Sequence, residues 1–289
     1  MQKKYIQKHL AERDRIFWQR AERFVKGFVS YLDAEGMTLH DAVDAYVRVC
    51  KDMLVEQIRF ARTSSYRYQS AHEVDQSVYS NPKTMSYHMQ GLSISHLLWP
   101  NHYLMYDFFC REIVKAQDSV QTYLEIGAGH GLFLAEAMDA FKRASFVVVD
   151  ISQTSIRMAR KMIHHLSQHS ADVRFHCQDI MNFDENATFD FITMGEVLEH
   201  VEDPRSLLDK VCRLLTPKGR AYVTTCCNCP AIDHVYLFRG VKEIRQLIEE
   251  SGLRIQREIA LPVGEQTNGP AGPGHVEINY AAVVRRAEI

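Results

Sequence analysis

From Gln121 onward the chain alternates short runs of β-branched and aromatic residues with runs of helical period, and no other feature restricts the fold as much. Strand-like runs fall at 121–126, 145–150, 172–177, 188–193 and 219–225, with helical runs at 131–142, 153–168, 204–215 and 240–251. A parallel strand is reached through a crossover, usually a helix, so this order predicts five parallel strands in an open α/β sheet. The tail differs. Leu253 to Pro262 and Val276 to Arg285 are joined by the Gly/Pro-rich stretch Val263 to His275 with no helix between them, which predicts a closing antiparallel pair.

Residues 1–118 read as helices, giving a division into a helical part (1–118) and an α/β part (119–289). Phe17, Ala21, Phe24, Val25, Phe28 and Leu32 recur on one helical face. Thr38 and Asp41 have the spacing of a capping box, and Leu39, Val43, Tyr46, Cys50 and Leu54 continue a period of 3.6. Thr63 to Pro82, rich in Ser, Tyr and Gln, reads as a connector. Helices at about 84–95 and 101–116 are separated by Trp99-Pro100, since proline suits a first turn and not a helix interior.

Composition excludes several classes of function. With 34 Lys plus Arg against 36 Asp plus Glu over 289 residues, the chain has no field that would gather nucleic acid. No run approaches the roughly 20 apolar residues of a membrane span, and the start lacks a signal-peptide core, so a cytoplasmic protein is expected. Seven cysteines imply no disulfide framework, and the cluster Cys226, Cys227, Cys229 lacks a second ligand pair at zinc spacing, so no metal is expected.

Four segments carry chemistry. Tyr123-Leu124-Glu125-Ile126-Gly127-Ala128-Gly129-His130-Gly131 runs from a strand through a glycine loop into a helix, where bare N–H groups and a positive dipole end await a ligand. A dinucleotide fingerprint wants its third glycine at the place of Leu132, which argues against a pyrophosphate cradle. Asp150 ends the second strand, where a carboxylate can accept both hydroxyls of a ribose. Asp179 and Ile180 follow the third strand, and Met194-Gly195-Glu196-Val197-Leu198-Glu199-His200 follows the fourth. Ligands of open parallel sheets bind beyond the carboxyl ends of the strands, so the four segments converge on one crevice.

On these motifs, residues 121–285 resemble the catalytic domain of the class I S-adenosylmethionine-dependent methyltransferases. The resemblance implies a doubly wound, mostly parallel seven-stranded sheet with its last strand antiparallel, and S-adenosylmethionine as cofactor. It implies cofactor-binding roles for Glu125, Gly127, Ala128, Gly129, Gly131, Asp150, Ile151, Asp179, Ile180, Gly195 and Glu196. In similar small-molecule enzymes a helical extension covers the active site, the expectation here for the N-terminal part.

Methyl transfer needs positioning of the acceptor more than bond chemistry from the protein, and a base only for a protonated nucleophile. His200, Asp233 and His234 are the candidates to orient or deprotonate it. Tyr79, Tyr87, His96, Trp99, His102 and Tyr236 are candidate substrate contacts, and Arg62, Arg67 and Arg239 candidate clamps for a carboxylate. The reading favours O-methylation of a small metabolite or short peptide in a biosynthetic tailoring pathway, because no Asn/Asp-Pro-Pro-Tyr/Phe-like sequence follows the fourth strand. N- or C-methylation, a nicotinamide oxidoreductase and a non-catalytic cofactor-binding module stay open. The N-terminal helices are also candidates for pairing two chains.

Overall fold

A computed structural model describes residues 2–184, 186–263 and 276–287. The N-terminal part contains α1 (Gln2–Ala11), α2 (Arg15–Ala34), α3 (Leu39–Thr63), a single turn α4 (Ala71–Val74), α5 (Pro82–Leu98) and α6 (Pro100–Ala116). The rest runs β1 (Thr122–Ile126), α7 (Leu132–Ala140), β2 (Ser145–Asp150), α8 (Gln153–Leu166), β3 (Val173–Cys177), β4 (Phe189–Met194), α9 (Pro204–Leu214), β5 (Leu215–Cys227), α10 (Val241–Glu250), β6 (Leu253–Pro262) and β7 (Ile278–Arg286).

The strands form one sheet in the order β3-β2-β1-β4-β5-β7-β6. Strands β1 to β5 pair in parallel, and β7 lies antiparallel between β5 and β6. The expected closing antiparallel pair is therefore present. β6 points the same way as β1 to β5, but its neighbour is the antiparallel β7 and not a parallel strand. The Gly/Pro-rich stretch after β6 lies, from residue 264 to 275, outside the described residues. Chain order reverses between β1 and β4, the place where open α/β sheets bind ligands.

β5 starts at Leu215, earlier than its sequence suggests, because Leu215 pairs with Phe189 across an irregularity in the β4 register. A bulge tolerates the Pro217 and Gly219 that weaken this stretch as a strand. Thr38 and Asp41 form the capping box, with Thr38 N donating to Asp41 Oδ2 at 2.7 Å and Asp41 N donating to Thr38 Oγ1 at 3.2 Å. Trp99 is extended at φ −107°, ψ 122°, as a residue before proline should be, and so it divides α5 from α6.

Apolar side chains fill both faces of the sheet. One face holds Leu124, Val147 and Ile192 against Leu207, Leu208, Ile244 and Ile248 of α9 and α10. The other carries Tyr123, Phe146 and Phe191 in a cluster that runs through α7 and α8 into Phe17, Phe24 and Phe28 of α2. The N-terminal helices thus share a core with the sheet. α3 departs from expectation: its buried side is Ala42, Ala45, Tyr46, Val49, Glu56 and Phe60, while Leu39, Val43 and Leu54 of the periodic stripe face solvent. The connector 63–82 also contains more structure than its composition suggests, with α4 and a π-type turn at Asp75–Tyr79.

Candidate active site

The loop after β1 is built on Gly127, Gly129 and Gly131, whose φ angles of +80°, +48° and +76° suit glycine. A Cβ on Gly131 would lie 3.0 Å from the Cα of Ala159, so this glycine lets the loop pack against α8. On Gly129 the nearest neighbour of a Cβ would be Met89 Sδ at 3.8 Å, which leaves room for a ligand beside the backbone. Asp150 fastens the loop: Oδ2 accepts from Ala128 N and Oδ1 from Ser152 N, both at 2.7 Å. The Gly129 N–H also bonds this carboxylate, which leaves about one of its roughly four lone-pair positions for a ligand hydroxyl. Burial raises the Asp150 pKa, and the backbone N–H groups of Ser152 and Ala128 oppose the rise. Buried Glu125 accepts from Tyr123 Oη at 2.7 Å, and burial pushes its carboxyl up to about 8.

Beyond β3, Asp179 caps a 3-10 turn by accepting from Met181 N at 2.9 Å. That turn packs Ile180 into the core, so Asp179 and not Ile180 stands exposed at this strand end. The exposed apolar side chains at these strand ends are Ile151 and Met181, 50% and 41% accessible. After β4, Gly195 has room beside it, and Glu196 adopts φ +52° with its N–H donating to Thr224 Oγ1 at 2.9 Å. A non-glycine residue held there stores strain of the kind common at ligand sites. Glu196 Oε1 is buried without a hydrogen-bond partner. Burial and the charge of Glu199 lift Glu196 well above its ordinary pKa. Glu199, which accepts from Thr225 Oγ1 at 2.7 Å, is pushed up to about 7 by burial.

A second group of polar rings gathers at the ends of β4 and β5. His200 Nδ1 lies 2.9 Å from the Asp233 carbonyl O, and the His200 and His234 rings meet edge to face at 5.0 Å. Asp233 Oδ2 stands 3.7 Å from both His200 Nδ1 and His88 Nε2. Burial alone would raise Asp233, but the rings of His200, His88 and His234 hold it below its ordinary value. Burial drives His234 down to about 3, leaving it neutral. The N-terminal part closes over this group: Tyr79 bonds the Asp233 side chain and stacks edge-on to His200 at 6.3 Å, and Tyr66 meets His234 at 5.5 Å. The hydroxyl of Tyr66 is buried without a hydrogen-bond partner.

The structure thus brings together His200, Asp233, His234 and Tyr79. The other expected contacts stand elsewhere. His96, Trp99 and His102 pack among themselves and against His130 and Phe133, with Trp99 Nε1 donating to Tyr46 Oη at 2.7 Å. Tyr87 donates to Asp52 and lies under Arg48, lining a cavity together with Glu56, Arg67, Val78 and Ile232. Tyr236 donates to Glu243 of α10, and Arg67 is paired with Glu56. Tyr66 was missed because it lies in the polar connector, where composition alone shows no site.

Residues 124–221 match the family model described as a methyltransferase domain. Over 186 residues the chain is 31% identical to the ubiquinone biosynthesis O-methyltransferase of Paracidovorax citrulli (strain AAC00-1), a match covering 57% of this chain and 76% of that protein. The chain belongs to the class I S-adenosylmethionine-dependent methyltransferases. The corresponding Coxiella burnetii enzyme (strain RSA 493) is 36% identical over 103 residues, and there the methyltransferase spans 42% of its relative's length. Two solved structures share the fold. N-methyltransferase NodS from Bradyrhizobium japonicum WM9, in complex with S-adenosyl-L-homocysteine, has a TM-score of 0.51 at 20% identity, covering 69% of this chain and 98% of its own. Mitomycin 7-O-methyltransferase MmcR has a TM-score of 0.52 at 18% identity, covering 82% and 68%.

The crevice residues fit the family's cofactor. Gly129 has open space beside it that a side chain would enter, Asp150 keeps lone-pair capacity at a strand end, Ile151 and Met181 offer apolar surface, and Glu196 after β4 has a buried oxygen without a hydrogen-bond partner.

Proposed function

We propose that this methyltransferase O-methylates a hydroxyl or carboxylate of a small metabolite or short peptide as a cytoplasmic tailoring enzyme. The observation that carries the reading is the closed group of rings at the ends of β4 and β5, where Tyr66, Tyr79 and His88 from the helical part meet His200, Asp233 and His234. S-adenosylmethionine supplies a methyl group on a cationic sulfur that leaves as a neutral thioether. The glycine loop, Asp150, Ile151, Asp179, Gly195 and Glu196 would hold it, with Asp150 accepting from the ribose. The protein's remaining task is to seat the acceptor in line and exclude water. Tyr66, Tyr79 and neutral His234 orient the acceptor oxygen, and the His200 ring takes up a proton where the acceptor carries one. Residues 1–118 act as a cap that completes this pocket.

Outward-facing Leu39, Val43, Val47, Leu54 and Ile58 of α3, each 40–56% exposed, support a dimer of two such chains through the N-terminal helices. The function is tested by incubation with labelled S-adenosylmethionine and fractionated metabolites and peptides, followed by mass spectrometry. Label recovered as an ether or ester is the expected result. Label on nitrogen or carbon, or binding of NAD in preference to S-adenosylmethionine, would replace the reading.

A further inference from the structure

We propose that His200, Asp233 and His234 form a site for a divalent transition-metal ion that holds the acceptor oxygen. One ligand atom from each of the three lies within 4.8 Å of the other two, and they come from two loops, one after β4 and one after β5. Donors bound at about 2.1 Å stand about 3.4 Å apart in a tetrahedron and about 4.2 Å apart across an octahedron, so small side-chain rotations would close the group on an ion. Asp233 and His234 are buried, and half-buried His200 keeps one side accessible, the form of a site with an open position.

Tyr79 bonds the Asp233 side chain, but the histidine rings around it do not. Neither His88 nor His200 reaches the Asp233 carboxylate: both stand 3.7 Å from Oδ2, beyond hydrogen-bond length. His200 Nδ1 is taken by the Asp233 carbonyl at 2.9 Å, so Nε2 is the nitrogen of that ring left to bind an ion. A ring with one nitrogen on a backbone carbonyl is held in one tautomer with the other nitrogen free, as in metal-ligating histidines. Two imidazoles and one carboxylate with open positions suit Zn²⁺, Co²⁺ or Fe²⁺. Glu199, Cys226 and His234 form a second convergent group that shares His234, and the Cys226 variant below separates the two. The site rests on geometry alone. Its role beside the acceptor rests on the methyltransferase reading, where a bound ion would polarise the acceptor oxygen in place of proton uptake by the histidine rings.

The test is Co²⁺ titration of the full chain after chelator treatment, followed by absorption and calorimetry, with S-adenosylmethionine binding measured on the same samples. One Co²⁺ per chain is expected, with ligand-field bands and no thiolate charge-transfer band. Asp233→Asn and His234→Gln should each weaken Co²⁺ at least about tenfold while Cys226→Ser leaves it unchanged. Absence of saturable binding by the wild type, a thiolate band, or loss only in Cys226→Ser would overturn the site. Normal S-adenosylmethionine binding with no Co²⁺ uptake would remove the metal and leave the methyltransferase reading standing. Loss of S-adenosylmethionine binding by the wild type would instead count against that reading.

Discussion

Asp150 shows how one side chain serves both fold and ligand, because its oxygens hold the backbone of Ala128, Gly129 and Ser152 and still have a lone pair to offer. Hydrogen bonds to a charged group contribute about 1.5–3 kcal/mol each, so Asp150→Ala should weaken S-adenosylmethionine binding at least tenfold by calorimetry. Unchanged affinity in a folded variant would remove Asp150 from the site. Gly129→Val should be worse, since it puts a branched side chain at φ +48° and into the space beside the loop. Glu125 makes a different prediction. Its folded pKa of about 8 lies above the usual 4.5, so the folded state holds the proton more tightly. Its stabilising contribution is complete below pH 4.5 and is lost as pH rises to about 8, by at most about 1.4 kcal/mol per pH unit. Thermal melts from pH 5 to 8 should therefore show a shallower loss of stability for Glu125→Gln than for the wild type. Equal slopes would mean that Glu125 is ionised throughout.

At the scale of elements, the strands and crossover helices were legible because each is a local pattern: period 2 or 3.6, glycine after β1, an acid closing β2. The motif residues Glu125 to Gly131 and Asp150 could be found for the same reason. What failed to show depends on contacts between distant segments. Ile180 is turned inward by the cap that Asp179 makes, and His96, Trp99 and His102 satisfy one another in a packed cluster, which no spacing reveals. The segment 63–82 looks like a plain linker because polar composition suits linkers, yet it carries Tyr66 and Tyr79 across the crevice onto His234 and His200. Tyr66→Phe removes only a buried hydroxyl that lacks a partner. On the proposed reading this should lower kcat/KM for the acceptor about two- to tenfold, the usual contribution of one hydrogen bond, with S-adenosylmethionine affinity within about twofold. Steady-state kinetics with the acceptor unaffected would leave Tyr66 as packing.

For the whole molecule, the shared core of α2 and α8 changes how the helical part can be tested. Deleting residues 1–80 would strip Phe17, Phe24 and Phe28 from Met158, Met162 and Leu166, so loss of activity there would report unfolding as much as loss of a cap. Point changes are the better probe, and α3 offers the clearest. Its inward arc is made of small and aromatic residues, while Leu39, Val43, Val47, Leu54 and Ile58 form an adjacent arc about 100° wide that the fold leaves outside. Helical periodicity in the sequence marks both arcs alike, since it reports that residues share a face and not what covers it. A stripe along a 25-residue helix suits a twofold pairing, in which the same face meets its own copy and each residue is used twice. The wild type is therefore expected to run as a dimer in size-exclusion chromatography with light scattering. Val47→Glu combined with Leu54→Lys, which touches no core position, should give a monomer of 33.4 kDa with an unchanged circular dichroism spectrum. A wild type that is monomeric at high protein concentration would leave the stripe as exposed apolar surface and place the pairing of chains elsewhere or nowhere.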